Sequence, residues 1–341
     1  MTTELGLETG VNFDRDRVAQ QVADLVRDGV YIGTSSWKYH GWRGLLYTDD
    51  FYFGRFGFSD QRFLKYCLRE YATVFKTVCV DAAYYRFPEP DQLKEMMELV
   101  PDDFRFALKA TDTITIKTFP ALPRFGTRAG KPNPDFLNAS LFTDHFLRVC
   151  EPFKEKISVI IFEFSRFHHS DYTRGKQFVE QLDGFLSQLP RGWNYGVEIR
   201  NETFLHPDYF DVLEKYNATH VFNSWTDMPP LIDQFNWYHG WVRQDLVVAR
   251  FLLKPGRSYE EAVKAFSPYR QIRDPYPEGR EAAIRIIQYC KAEPGKRRAF
   301  LYVNNRFEGN ALQTIAHVLN KVCPLQGTGT TSKSTMTESL F

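Results

Sequence analysis

"WNYGVEIRNETF", residues Trp193 to Phe204, is the stretch on which the reading of the fold turns. A short apolar run here carries Glu198 and Arg200 two positions apart. Side chains alternate across a strand, so Gly196, Glu198 and Arg200 share one face while Tyr195, Val197 and Ile199 share the other. Such a strand either faces water or directs its ions into a core or an enclosed site. Its neighbours in sequence decide between these.

Seven further runs of the same kind occur: "VYIGTSSW" (30–37), "FKTVCVDAAYY" (75–85), "FRFALKA" (104–110), "SVIIFEF" (158–164), "THVFNSW" (219–225), "LVVARFL" (246–252) and "AFLYVNN" (299–305). Amphipathic segments lie between them, including "PDQLKEMMELV" (90–100), "NASLFTDHFLRVCEPF" (138–153), "GKQFVEQLDGFLSQL" (175–189), "DYFDVLEKYN" (208–217) and "EGREAAIRIIQYCKA" (278–292). Alternating strand and helix implies right-handed parallel crossovers. Eight such units predict a TIM-type (β/α)8 barrel in a single domain over 30–320. A doubly wound open sheet is the alternative, but no Gly-x-Gly-x-x-Gly turn follows any run. Residues 1–29 read as an extension whose helix spaces Val18, Val22, Leu25 and Val26 along one face. Residues 321–341 read as a polar tail too poor in apolar residues to pack.

Composition narrows the function. The chain has 341 residues, 43% of them hydrophobic, and 43 Lys and Arg against 42 Asp and Glu. That balance lacks the basic footprint of a dedicated nucleic-acid binder. No leader and no long apolar window is read, so a cytoplasmic protein without membrane attachment is expected. The five cysteines (67, 79, 150, 290 and 323) are scattered with no Cys-x-x-Cys pair, which suggests reduced, buried thiols.

Barrel enzymes place their chemistry at the carboxyl ends of the strands. Reading those ends gives Trp37, Tyr39, His40, Trp42 and Arg43; then Asp81, Tyr84, Tyr85 and Arg86; then Lys109, Glu163, Glu198 and Arg200. Asn223, Trp225 and Asp227, then Arg250, and finally Asn304 and Asn305 complete the circuit. Unpaired buried charges are costly, so these groups should pair or line a wet cavity.

The set "IGTSSWKYHGWRG", "YYRFP", "FALKA", "VEIRNETF" and "VNNRFEGNAL" resembles the DUF72 family of YecE-like proteins. The resemblance runs from about Tyr31 to about Val318 and implies a TIM-type barrel, with no established reaction attached. The family pattern matches at Gly33, Thr34, Ser35, Trp37, Trp42, Tyr85, Arg86, Phe87, Pro88, Lys109, Glu198, Arg200, Asn304, Asn305 and Gly309. It departs at Cys79, where a carboxylate is common, at Asp81, where an amide is common, and at "FEFSRF", where Gln and Pro are usual.

The resulting expectation is a barrel enzyme acting on a small anionic substrate, phosphorylated or carboxylated. Glu198 is the candidate acid or base, with Lys109 and Arg200 tuning its protonation. Arg86 and Arg250 would anchor the anion through their guanidinium forks. Trp37, Trp42, Tyr85, Asp227 and Asn304 would complete the pocket. A structural ion pair plugging the barrel mouth is the plain alternative for Glu198 and Arg200. Asn305 is expected to be structural. No cofactor is implied. Asp81, Glu163, Glu198 and Asp227 offer oxygens for a metal, but no histidine spacing supports one, and the surrounding arginines oppose it. A metal-dependent isomerase or phosphodiesterase-like barrel is thus a lesser alternative. Another is a nucleotide or nucleic-acid binding module using Lys117, Arg124, Arg128 and Lys131.

Overall fold

The computed structural model describes residues 12–324 apart from 56 and 244. Most of the expected tail, and the first eleven residues of the extension, lie outside that range. The eight expected runs form eight parallel strands: β1 (Val30–Thr34), β2 (Thr77–Val80), β3 (Arg105–Lys109), β4 (Ile157–Glu163), β5 (Tyr195–Glu198), β6 (Thr219–Ser224), β7 (Leu246–Phe251) and β8 (Arg298–Val303). They close into a barrel in sequence order, with β8 pairing back onto β1.

Alternation within each strand builds two apolar layers. Inward side chains, among them Ala107, Val159, Ile161, Val221, Val248 and Phe300, fill the cylinder. Tyr302 closes it further, its hydroxyl 3.2 Å from Thr77 Oγ1. Outward side chains such as Ile32, Leu108, Phe162, Val197 and Phe222 pack beneath the helices. The interior is therefore solid, and the charged strand ends sit on top of it.

The main helices follow the expected spacing. Helix α1 (Arg15–Arg27) buries Val18, Val22 and Leu25, as the heptad-like spacing implies. It is tied to the body through Gln21, whose Nε2 donates to the Cys323 carbonyl at 2.8 Å. Helices α2 (Asp60–Tyr71) and α3 (Pro90–Glu98) flank β2, the second opening on a proline whose missing N–H costs nothing there. The segment 138–153 is helical but contains a π turn, Thr143–Leu147. The aromatic stretch after β1 folds into a short hairpin, Phe53–Gly54 against Gly57–Phe58, which periodicity did not reveal.

The seam between β1 and β2 has a device of its own. Only Thr34 and Val78 are in ladder register there. Gly33 permits the approach: a Cβ at that position would lie 2.1 Å from the Thr77 carbonyl oxygen. The Tyr71 hydroxyl fills the gap, accepting from the Thr34 N–H at 3.0 Å and donating to the Thr77 carbonyl at 2.9 Å.

Candidate functional site

Strand register brings the expected ions together. Glu163 and Glu198 are ladder partners, and so are Asn223 and Arg250. Glu163 is the hub. Its Oε2 receives Lys109 Nζ at 2.8 Å and Arg250 Nη1 at 2.5 Å, and its Oε1 receives Arg200 Nη2 at 2.9 Å. Glu198 takes Arg200 at 3.1 Å and Arg250 at 2.5 Å. Asp81 is held more loosely, its Oδ1 lying 3.5 Å from both Lys109 Nζ and Arg250 Nη2.

Burial divides these groups sharply. Glu163, Glu198, Lys109, Arg200 and Arg250 are all buried, Glu198 completely. The Asp81 side chain is 33% exposed. Aromatic faces pack against two of the cations: Trp225 lies 3.6 Å from the Arg200 guanidinium carbon and Tyr84 lies 4.0 Å from Lys109 Nζ.

The network fixes protonation states. Burial works against an ionised Glu163, but Arg200, Lys109 and Arg250 outweigh it and hold its carboxyl well below the usual carboxylate range. Burial likewise opposes a charged Lys109, yet Glu163 and Asp81 raise it above the usual lysine value. Beneath them, burial pushes the Cys79 thiol up to about 12, so it remains protonated. Cys79 contributes no charge where the family pattern commonly has a carboxylate. Glu163 on β4 supplies the third carboxylate, so three cations face three anions.

The other expected site residues lie elsewhere. Trp42 is fully buried and donates from Nε1 to Asn305 Oδ1 at 3.2 Å. Asn305 Oδ1 also accepts from the Ala311 N–H at 2.8 Å, the structural task expected of it. Asn304 is buried, and its Oδ1 accepts from the Arg306 N–H. Asp227 is exposed and pairs with Arg166 at 3.0 Å. Tyr85 is 62% exposed, and Arg86 is exposed and donates to Gln92 at 2.7 Å. Trp37 and Arg86 line a groove on the outside of the barrel.

Of the four cations expected at the site, Lys109, Arg200 and Arg250 thus meet there, and Arg86 does not. The reason is local. Strand β2 ends at Val80, and Ala82–Tyr85 turns as a helix, so Tyr84 reaches Lys109 while Tyr85 swings outward. The Ala-Ala pair was the available sequence signal for that turn. Sequence reasoning named Glu163 and Asp81 without making either a principal site residue. Among the described residues, no group of three or more His, Cys, Asp or Glu is arranged to hold a metal ion. No helix there is long and apolar enough to cross a membrane.

Comparison with known proteins agrees with this architecture. The UPF0759 protein YecE of Escherichia coli K12 is 26% identical over 181 residues, 53% of this chain and 50% of that protein. The match therefore spans about half the length of that relative. Two solved DUF72 family proteins share the fold. The one from Enterococcus faecalis V583 has a TM-score of 0.57 at 17% identity, covering 86% of this chain and 94% of that one. The one from Thermotoga maritima MSB8 has a TM-score of 0.55 at 18% identity, covering 86% and 98%. The model of the family described as "Protein of unknown function DUF72" matches residues 31–336, and the chain belongs to that family.

Proposed function

We propose that the chain is an enzyme that performs acid/base chemistry on a small substrate bearing a phosphate or carboxylate, at the carboxyl end of the barrel. One observation carries this reading: Asp81 is the carboxylate of the network that is partly exposed and held only at 3.5 Å. Glu163 and Glu198 sit within hydrogen-bond distance of the cations and are buried with them. They act as fixed counter-ions that hold Lys109, Arg200 and Arg250 in place. Asp81 matches the remaining positive charge at 3.5 Å and with partial exposure. A substrate anion approaching from that side competes with a weak contact and finds two cations already positioned.

Arg250 sharpens the argument. Its Nη1 is taken by two carboxylates, whereas its Nε is buried without a partner and its Nη2 meets only Asp81. The Nε and Nη2 pair is the edge of a guanidinium that receives a carboxylate or phosphate bidentately. Lys109 stays protonated and serves as an electrostatic partner, as does Arg200. Glu198 is fully buried and paired with two arginines, so the partly exposed Asp81 carries the proton in this scheme.

The test is thermal-shift and turnover screening of phosphate monoesters, carboxylic acids and inorganic phosphate on wild type and Asp81→Asn. The expected result is an anion that stabilises both proteins, the variant more strongly, and that only wild type turns over. A variant that gains no anion affinity overturns the reading.

Nucleotide binding without turnover, on the surface beside the mouth, is favoured by one separate feature. Arg124 lies 5.5 Å from the ring of exposed Tyr85, a cation and an exposed aromatic ring of the kind that stacks on a base. Single-strand binding that falls steeply with salt, without any turnover, would select that reading.

A further inference from the structure

The second strand has two faces, and only one belongs to the mouth. Cys79 and Asp81 look into the barrel, whereas Val80 looks outward, as does Leu108 on β3. Above Val80 and Leu108, helices α2 and α3 leave a groove of about 490 Å³. That volume falls in the range of small-molecule sites, roughly 300–1,000 Å³. Leu68, Leu93, Met96 and Phe87 supply its apolar walls. Leu64, 48% exposed, forms part of its rim.

The charges around the groove are sorted along its length. Helices in this fold run antiparallel to the strands, so Glu89 and the start of α3 lie at the carboxyl end and Glu98 at the opposite end. Lys38 follows β1 and Arg86 follows β2, so both sit at the carboxyl end, and Lys65 lies midway along α2. Two cations, Lys38 and Arg86, therefore face one carboxylate, Glu89, at the upper end, Lys65 and Glu95 lie midway, and Glu98 occupies the lower end. A second observation lies at the cationic end. Trp37 lines the groove, is 7% exposed, and its Nε1 is a buried donor with no acceptor. A lone indole N–H of this kind is costly unless something accepts from it.

We propose that this groove is a binding site for a small amphipathic anion, an apolar chain or ring ending in a carboxylate. The apolar body lies over Val80, Leu108 and Met96. The carboxylate lies at the upper end with Lys38 and Arg86. The β2–β3 wall separates this site from the ionic mouth, so the inference stands or falls independently of the proposed enzymatic activity. It also gives the "SSWK" and "YYRFP" motifs a shared location that the mouth does not provide.

The probe is decanoate, with decanol and decylammonium as head-group controls, on protein carrying 13C-methyl methionine. Decanoate is expected to move the Met96 methyl resonance and leave Met228, on the far side of the barrel, unmoved. Decylammonium should bind about tenfold more weakly, because its charge meets like charges. Lys38→Glu and Arg86→Glu alter exposed side chains and should each weaken decanoate about three- to fivefold. Leu64→Trp, which fills the rim, should weaken all three probes. A Met96 resonance indifferent to decanoate overturns the proposal. So does equal binding of decanoate and decylammonium. A concentration-dependent dimer that Arg86→Glu disperses would overturn it as well, by showing that a second copy covers the groove.

Discussion

Two buried ionic assemblies sit near the ends of the strands, and they are built on different plans. Glu308 is fully buried and accepts from Arg280 Nε at 2.8 Å, the Tyr276 N–H at 2.5 Å and Thr314 Oγ1 at 2.7 Å. One cation and two neutral donors saturate it, and neighbouring Gly309 at φ 114 turns the chain tightly against Gln271 and Arg273. The mouth instead gathers three cations and three carboxylates from six positions along the chain, and leaves Asp81 at arm's length. Each assembly keeps one arginine nitrogen without a partner, Nη2 of Arg280 and Nε of Arg250, so an orphan nitrogen alone does not mark a functional site. The loosely held, partly exposed carboxylate does. A latch saturates its carboxylate, whereas a site keeps one carboxylate negotiable.

That contrast can be broken by substitution. The largest effect is expected for Glu308→Ala, which strands Arg280 in the interior and should cost about 3–5 kcal/mol in urea unfolding. Glu163→Gln should come next, near 3 kcal/mol, because an amide retains an acceptor but no charge for the three cations. Glu163 also predicts the acid limb of stability. Its carboxyl is depressed in the fold, so its contribution is fully present above the ordinary value of about 4.5 and is lost as pH falls toward the folded value. Wild type should therefore lose stability below about pH 4.5, and Glu163→Gln should flatten that limb. Tyr71→Phe, which removes the hydroxyl bridging β1 and β2, should cost about 1–3 kcal/mol and speed exchange of the Thr34 amide. The smallest change is expected for Asp81→Asn, under about 1 kcal/mol, since its contacts are 3.5 Å long and its side chain is partly exposed. A cost comparable to that of Glu163→Gln would mean that Asp81 belongs to the latch class.

The same contrast explains what could be read in the sequence. Strand positions were legible because each apolar run is short and bounded, and every one of the eight runs overlaps a strand of the barrel. The shared face of Glu198 and Arg200 followed from period-two geometry, even though β5 ends at Glu198 and Arg200 reaches back from the following loop. The central place of Glu163 was not legible, because it depends on the pairing of β4 with β5 and on Arg250, 87 residues away. The exchange of Tyr85 for Tyr84 in the site arose from a strand read five residues too long. The hairpin at 53–58 escaped because its strands are two residues each, too short for any periodicity, although Gly57 at φ 95 marks the turn.

A closed cylinder has no first or last strand, yet this one retains a join. Between β1 and β2 a tyrosine from the covering helix stands in for a rung of the ladder, and a glycine gives the two backbones room to meet. Strain applied to the ring should therefore part it there first, like a hoop at its clasp. The residues on either side of that clasp lead straight to Trp37 and to Asp81. Whatever loosens it reaches the outer cleft and the inner charges by the same short path.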